Sequence, residues 1–495
     1  MFDEKHHLPK GHGNDGFNPS VEDQNLADMD FPQDTSERPI IVESTNSTHL
    51  RPSPNDPLNW SSRKKNTILA ILSLSAFLGD FSSGAGIPLL SSQSQTFTLP
   101  PSQILYATNL NVLLVGIGGV LWIPPLHFWG RAPVLFWSTL IGTVFTLVCA
   151  IAPNFGVYYG ARALVGVSLT AGQTIGLVFI KEMWEFEDQV RKLNFWYACF
   201  TASPYFGPMI GGFMVDGLDG NWRAVFWLIF ALCCLDLVLI LLFADETYGK
   251  ELERGRRIWR VLGLWQIPNH GTLTSVKDSL IRLWKVLISP MVVPCMLIHA
   301  MQFMWGVGVN LTSSILFATP VEDGGYGYAT KQVGFLYFTP VVAVWLGEAF
   351  GHVFNDWIAR RYIRKHSGTF RPEVRLWILY IGAILMVPGL VVVGQALGKR
   401  LSVAAVIMGW GMYVFGGMLS GVSLTAFLMN KCPGGTGEIS SFLNFARTIG
   451  GFSLGYYQQS WGAAVGYGAS FGTQAAIAGL ATIMAGLVHL ICSRA

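Results

Sequence analysis

The sequence predicts an all-α membrane protein with twelve transmembrane helices in two six-helix halves. The composition points to lipid, because 51% of the 495 residues are hydrophobic and only 13% are charged, against about 25% in soluble domains. Long apolar runs recur along the chain after its first 65 residues, and a single long charged connection divides these runs into six and six, as expected of a membrane protein built from two repeats.

Each apolar run has about 20 residues or more, the length that a helix needs to cross a ~30 Å hydrocarbon core. We number the runs as spans 1 to 12 in chain order. The predicted spans are 66–90, 104–127, 133–153, 157–180, 193–215, 222–244, 290–318, 332–354, 374–397, 401–429, 438–461 and 466–491.

The polar segments define the domain boundaries. Residues 1–65 are rich in Asp, Glu, Asn, Ser and Pro, and they predict a disordered cytoplasmic tail. Residues 66–245 form the first half, 246–289 a cytoplasmic central loop, and 290–495 the second half.

The basic residues predict the orientation. Two of the 33 Lys and Arg residues, Arg162 and Arg447, lie inside spans, and nearly all the others fall on one side of the predicted bundle. By the positive-inside rule this side is cytoplasmic, and both termini lie there. The exceptions on the outer side are Arg223, Lys331, Lys399 and Arg400.

Several classes of function are disfavoured. The net charge of +3 gives no basic surface for nucleic acid, and the chain has no GxxxxGK[ST] loop for ATP. The seven cysteines lack the paired spacing of a zinc site. We therefore expect no metal, no cofactor and no enzyme activity, and we expect a monomer whose partners are a small-molecule substrate, protons and the lipid bilayer.

Asp80 lies near the middle of span 1, where an ionised and unpaired carboxylate is costly. We expect it to carry a proton between the two sides of the membrane. Two alternatives stay open: a structural role as a hydrogen-bond acceptor, with Arg162 as a candidate charged partner, and direct contact with a cationic substrate.

Arg162 in span 4 shares a helical face with Gly166, Thr170 and Gln173. A charge in lipid costs roughly 2.5 to 3.5 kcal/mol, so Arg162 must face a cavity or a partner, unless it reaches the outer surface. Together with Asp80, Arg162 and Glu348 of span 8 are the candidates for proton coupling.

Spans 7 and 11 each carry polar and small residues at helical spacing. These stripes could line a substrate path, or they could hydrogen-bond across the helix bundle without any ligand. The substrate-path candidates are Gln173, His299, Gln302, Asn310, Asn444 and Arg447.

Span 5 carries small residues every four positions. Ser203, Gly207 and Gly211 share one face, followed by Gly212, and this pattern lets a neighbouring helix approach closely. Pro208 removes one backbone hydrogen bond and is expected to bend the span.

Several motifs resemble those of a known family. FWGRAP (128–133) and GHVFNDWIARR (351–361) resemble the two loop signatures of the major facilitator superfamily. RALVG (162–166) and YFGPMIGGF (205–213) resemble motifs of its proton-coupled antiporters. A fungal twelve-span group related to the drug:H+ antiporters has similar stretches to DPLNW (56–60), NWRAVFW (221–227), DETY (245–248), RPEVRLW (371–377) and GEISSFLNFARTIGGFSLGYYQ (437–458).

The resemblance implies the major facilitator fold and proton-coupled transport by alternating access in the cell membrane. The expected activity is export of a small organic molecule, such as a secondary metabolite, toxin or drug; proton-driven uptake of an organic cation or nutrient is the alternative. The resemblance also implies that Gly207, Pro208, Gly211 and Gly212 form the packing face of the antiporter motif.

The loop signatures imply a cytoplasmic gate. The first signature, PLHFWGRAP, contains Gly130 and Arg131 but lacks the acidic residue usual in the family. We therefore expect the charge cluster between the halves to be carried by Asp356, Arg360 and Arg361 of the second signature.

Overall fold

The structure is a computed structural model, and it describes residues 40–41, 56–247, 256–264, 276–322, 325–366 and 369–494. Most of the predicted tail, 1–65, lies outside the described residues. The described part is almost entirely helical, as predicted. Two short strands, Ile40–Ile41 and Thr369–Phe370, pair antiparallel, with Ile40 opposite Phe370.

The first half consists of nine helices in the described residues. Spans 1, 2 and 4 each cover parts of two helices, and span 5 lies in one helix that contains Pro204 and Pro208. The helices are α1 (Ser62–Ala85), α2 (Leu90–Phe97), α3 (Pro101–Leu121), α4 (Ile123–Phe128), α5 (Arg131–Ile151), α6 (Phe155–Leu169), α7 (Ala171–Met183), α8 (Phe186–Gly217) and α9 (Arg223–Phe243).

Two shorter helices lie in the central connection, and seven more form the second half of the described chain. The connection contains α10 (Arg257–Leu262) and α11 (Val276–Leu287). The second half contains α12 (Val292–Ala318), α13 (Thr330–Leu336), α14 (Phe338–Lys365), α15 (Leu376–Gly398), α16 (Val403–Lys431), α17 (Thr436–Val465) and α18 (Tyr467–Arg494).

The helices agree with the predicted spans, including the long spans 7 and 10, each of which is one helix. Ten helical segments of the described chain are long and apolar enough to cross a membrane. Helices α8 and α17 are also long enough, although they are not among these ten. They contain more polar and small residues because they lie where the halves meet, so twelve crossings are consistent with the structure.

The two halves meet along two seams. Helix α17 packs against α3 and α7, and helix α8 packs against α13 and α14. An even number of crossings places the start of α1 and the end of α18 on one side of the bundle, which we call the termini side. The seams hold the central site between them.

Candidate transport site

Asp80 and Arg447 form an ion pair between the two halves. Arg447 Nη1 lies 2.7 Å from Asp80 Oδ2, and both side chains are buried. Asp80 lies on α1 and Arg447 on α17, 367 positions apart in the chain. A charged hydrogen bond in low dielectric is strong, and neither charge is left unpaired in the bilayer.

Neighbouring side chains hold the Arg447 guanidinium in place. Its Nη2 donates a hydrogen bond of 2.6 Å to Asn444 Oδ1. The rings of Phe200 and Phe303 lie 4.6 Å and 5.2 Å from its central carbon. These contacts offer hydrogen-bonding and cation–π stabilisation that does not depend on Asp80.

A small cavity opens beside this ion pair. Its space amounts to about two water molecules, and its walls come from both halves. The lining residues include Asp80, Ser83, Ile87, Val112, Tyr205, Phe303, Asn310 and Arg447.

Three substrate-path candidates connect helices near the cavity. Asn444 Nδ2 donates to Thr170 Oγ1 at 3.1 Å, across the seam between the halves. Gln173 Nε2 donates to the Ala76 carbonyl at 3.2 Å. Asn310 lines the cavity and donates from Nδ2 to the Pro204 carbonyl at 2.8 Å.

The other two candidates on span 7 lie differently. Gln302 is enclosed within the second half, where its Oε1 accepts a hydrogen bond from Ser420 and its carbonyl accepts one from Tyr413 at 2.9 Å. His299 is buried with its ring 5.6 Å from that of Phe303. Neither residue is among those that line the cavity.

Arg162 does not pair with Asp80, and it does not reach the surface. It is fully buried, and it donates to the carbonyls of Ser82 and Ser83 at 2.8 Å and 3.1 Å. These carbonyls lie at the C-terminal end of α1, where a cation interacts favourably with the helix dipole. Arg162 therefore stabilises the end of the helix that carries Asp80.

Two further carboxylates lie away from the ion pair. Glu348 is half-buried on α14, near Cys199 of α8. Asp236 on α9 is fully buried within the first half, and its Oδ2 lies 2.7 Å from Ser75 Oγ. Asp80 is thus the one of the three that meets a cation across the seam.

On the termini side, a second polar cluster joins the halves. His127 Nε2 donates to Glu438 Oε1 at 2.9 Å, and Arg282 Nε donates to the same oxygen at 2.7 Å. His127 lies on α4 at the end of span 2, Glu438 lies in the first turn of α17, and Arg282 lies on α11. We call these three residues the termini-side cluster.

The first loop signature is held by contacts within the first half and with the start of the central connection. Arg131 pairs with Glu182, with 2.7 Å between Nη2 and Oε1. The Glu246 carboxylate accepts hydrogen bonds from the backbone N–H groups of Arg131 and Ala132 at 3.1 Å and 2.9 Å, so it caps the N-terminus of α5. Gly130 has φ +109°, and a Cβ there would lie 2.6 Å from the carboxylate.

The two arginines of the second signature are exposed, whereas Arg131 of the first signature is buried. Arg360 and Arg361 have exposed side chains on α14, and the Arg361 guanidinium lies over the Trp357 ring at 5.4 Å. The side chain of Asp356 lies outside the described residues. Their role as a gate therefore stays a prediction.

Span 5 uses its small residues on two faces. A Cβ at Gly207 would lie 2.5 Å from the Phe81 carbonyl of α1, and one at Gly211 would lie 3.1 Å from Pro88. Gly212 faces the other half, because its Cβ would lie 3.2 Å from the Thr330 carbonyl. Glycines thus allow α8 to touch both neighbours.

Sequence reasoning missed the roles of four residues. His127, Glu438, Arg282 and Glu246 were not candidate site residues, because each is an ordinary polar residue next to a predicted span or loop. Signals were available in the quoted motifs: Glu246 lies in DETY (245–248), and Glu438 lies in the stretch 437–458. His127 stands three positions before the glycine of the first signature, where the usual acid was missing.

Two membrane-spanning halves that enclose a central polar site define a transporter. A match to the profile of the Major Facilitator Superfamily extends over residues 70–455, and the chain belongs to that family.

Relatives agree with this assignment, and solved structures agree with the fold. The chain is 24% identical over 419 residues to "Efflux pump radE" of Floropilus chiversii, covering 81% of this chain and 70% of the relative. It is 24% identical over 434 residues to "MFS-type transporter hepF" of Aspergillus oryzae, covering 84% and 86%. The fold is similar to the proton:xylose symporter XylE, with TM-score 0.64 at 14% identity and 86% and 95% coverage. It is also similar to the human organic anion transporter MFSD10, with TM-score 0.63 at 15% identity and 85% and 99% coverage.

Proposed function

We propose that this transporter exports a small organic molecule across the plasma membrane in exchange for protons, with both termini in the cytoplasm. The observation that carries the proposal is the Asp80–Arg447 ion pair, which connects the halves beside a cavity lined by both. Efflux pumps among the relatives support export as the direction.

Alternating access requires the halves to close on each side in turn. In this structure they touch on both sides of the ion pair. On the termini side, Glu438 of α17 meets His127. Towards the opposite side, Gly455 of α17 lies so close to α3 that a Cβ there would overlap the side chain of Asn109. The conformation is therefore occluded, and the small cavity is the space left between closed halves.

Protonation of Asp80 removes the negative charge that neutralises Arg447. The pair then changes from neutral to singly positive, and the charged contact across the seam is lost. Because Asn444, Phe200 and Phe303 still hold the guanidinium, the protonated site is tolerable. Proton binding thus changes the free energy of contact between the halves, which is what coupling requires.

This change in charge at the Asp80–Arg447 pair also determines which substrates are compatible with proton exchange. A cation, or a neutral molecule that donates to the Asp80 carboxylate, binds better before protonation and so competes with the proton. An anion would bind Arg447 better after protonation and would travel together with the proton. Exchange therefore favours a neutral or cationic amphiphile, and proton-driven uptake, the alternative, would favour an anionic nutrient over an organic cation.

The direction of transport can be tested in cells. Candidate compounds should accumulate inside a deletion strain and be depleted inside an overexpression strain, relative to the parent strain. An overexpression strain that carries Asp80→Asn should resemble the deletion strain despite equal protein at the membrane. The opposite pattern, depletion in the deletion strain, would establish uptake and contradict export.

A further inference from the structure

We propose that α11 lies in the headgroup layer of the termini-side leaflet and binds anionic phospholipid there. This inference concerns the central connection and is independent of the transported substrate. The helix is short and amphipathic, with an apolar stripe at every fourth position. The stripe consists of Val276, Leu280 and Trp284, which are 52%, 52% and 61% exposed, and Ile288 directly after the helix, which is 59% exposed, continues it.

The opposite face of α11 attaches the helix to the bundle. Ser279 and Val286 are buried, and Val286 packs where a Cβ at Gly435 would be only 2.9 Å away. One face of α11 is therefore fixed next to α17. The apolar stripe points away from this attachment, since it occupies the other side of the helix.

The stripe continues into the lipid-facing surface of the bundle. Helix α12 follows α11 after a short turn, and its outward side chains Val293 and Leu297 are 43% and 50% exposed. The outward surface of a membrane-spanning helix such as α12 faces the acyl chains of the lipid. An apolar stripe that adjoins that surface, and that contains a tryptophan, is typical of a helix in the membrane interface.

The positive charges beside the apolar stripe indicate which kind of lipid binds there. Lys277 and Lys285 are exposed beside the stripe, and their long side chains can reach the headgroups while the apolar residues enter the acyl boundary. Helix α10 has the same character, with Ile258 and Trp259 51% and 47% exposed next to exposed Arg256. Cations in this position attract the anionic lipids of the cytoplasmic leaflet.

The location of α11 gives the lipid a means to act on the transporter. Arg282 lies on the attached side of α11 and donates to Glu438 at 2.7 Å, while Glu438 also accepts from His127. A helix held in place by lipid keeps Arg282 against Glu438. Anionic lipid is therefore expected to stabilise the conformation that is closed on the termini side.

The test compares the purified full-length protein in nanodiscs of pure phosphatidylcholine and in nanodiscs that also contain phosphatidylglycerol. Hydrogen exchange of the α11 amides reports how firmly the helix is held. We expect exchange on the order of tenfold slower with the anionic lipid, from two lysines near the surface. The double variant Lys277→Gln/Lys285→Gln should lose this difference.

A matched control removes two cations elsewhere. Lys399 and Arg400 are exposed at the opposite side of the bundle, so Lys399→Gln/Arg400→Gln should keep the full lipid effect on α11. Leu280→Ser/Trp284→Ser should speed the exchange of α11 in both lipids, because the apolar contact with the bilayer is lost.

Equal exchange of α11 in the two lipids would overturn the proposal. It would also be overturned if deletion of residues 1–55 speeded the exchange of α11 and removed the dependence on lipid, since the covering partner would then be the acidic tail of this chain. Neither result would alter the proposal for Asp80, because the readout does not involve transport.

Discussion

Asp80 Oδ2 and Arg447 Nη1 lie 2.7 Å apart, and this contact joins the first and the eleventh span at the centre of the bundle. Each residue neutralises the other in a place where a lone charge is costly. The pair lines the central cavity. The proposed proton coupling, the proposed substrate binding and the contact between the two halves therefore all involve the same two side chains.

The energetic dependence of the two residues on each other is testable. Arg447→Gln alone leaves the buried Asp80 charge without its partner, and breaking a buried pair in this way typically costs about 3–5 kcal/mol. Asp80→Asn alone should cost less, because Asn444 and two phenylalanine rings still hold the Arg447 guanidinium. The double variant Asp80→Asn/Arg447→Gln removes both charges and should regain most of the loss. Thermal unfolding in detergent measures the stability of the wild type, the two single variants and the double variant. Additive losses of stability in the double variant would show that the two residues do not interact.

The glycines of span 5 are expected to have two separate effects. Gly207→Leu should destabilise the first half, because its Cβ would already lie 2.5 Å from the Phe81 carbonyl. Gly212→Leu should leave more folded protein but block transport, because Gly212 faces α13 across the seam. Gly160→Leu is the matched control, since a Cβ at Gly160 meets nothing within 4 Å.

The measurements for these three variants are the amount of folded protein at the membrane and the transport rate per molecule. Gly160→Leu should be close to wild type in both. Normal transport in Gly212→Leu would show that the α8–α13 contact is not a moving interface.

The termini-side cluster should control opening on that side. Glu438→Gln weakens the hydrogen bonds from His127 and Arg282, because a neutral amide is a poorer acceptor than a carboxylate. We expect faster hydrogen exchange in the first turns of α17. Glu373→Gln, which alters a buried carboxylate 3.7 Å from Lys431 within the second half, should leave that exchange unchanged.

Topology provides another prediction. Asn46 and Asn59 stand in N-x-[ST] sequons, and a cytoplasmic N-terminus predicts that neither carries a glycan. Asn46 lies outside the described residues, and Asn59 precedes α1. A long glycosylation cassette inserted after Lys399, on the outer side, should be modified. A glycan on either native asparagine would contradict a cytoplasmic N-terminus and show that the orientation is the opposite one.

The sequence alone predicted the helical architecture well, because an apolar run of membrane length seldom forms anything but a transmembrane helix. It also singled out Asp80, Asn444 and Arg447 as separate polar residues within spans. It did not predict that Asp80 would form its ion pair with Arg447 and not with Arg162. That choice depends on how α1, α6 and α17 rotate and cross, and periodicity within one helix carries no information about its neighbours.

The termini-side cluster was harder to predict for a related reason. His127, Arg282 and Glu438 lie in three distant segments. His127 and Glu438 look like ordinary polar residues at the ends of spans, and Arg282 looks like an ordinary charge of the central loop. The motifs predicted that the second signature would carry the contact between the halves. In the structure, His127 of the first signature makes such a contact, and it occupies the position of the missing acid.

The most direct measurement of the central claim is the infrared difference spectrum of the protein in lipid between neutral and acidic pH. Protonation of Asp80 should add a carbonyl stretching band of a neutral carboxyl group, which Asp80→Asn lacks and Asp80→Glu retains at a shifted position. Asp236→Asn, which changes a buried carboxylate outside the seam, should keep the band. If the band is unchanged in Asp80→Asn, Asp80 does not bind the coupled proton, and the ion pair with Arg447 is structural only.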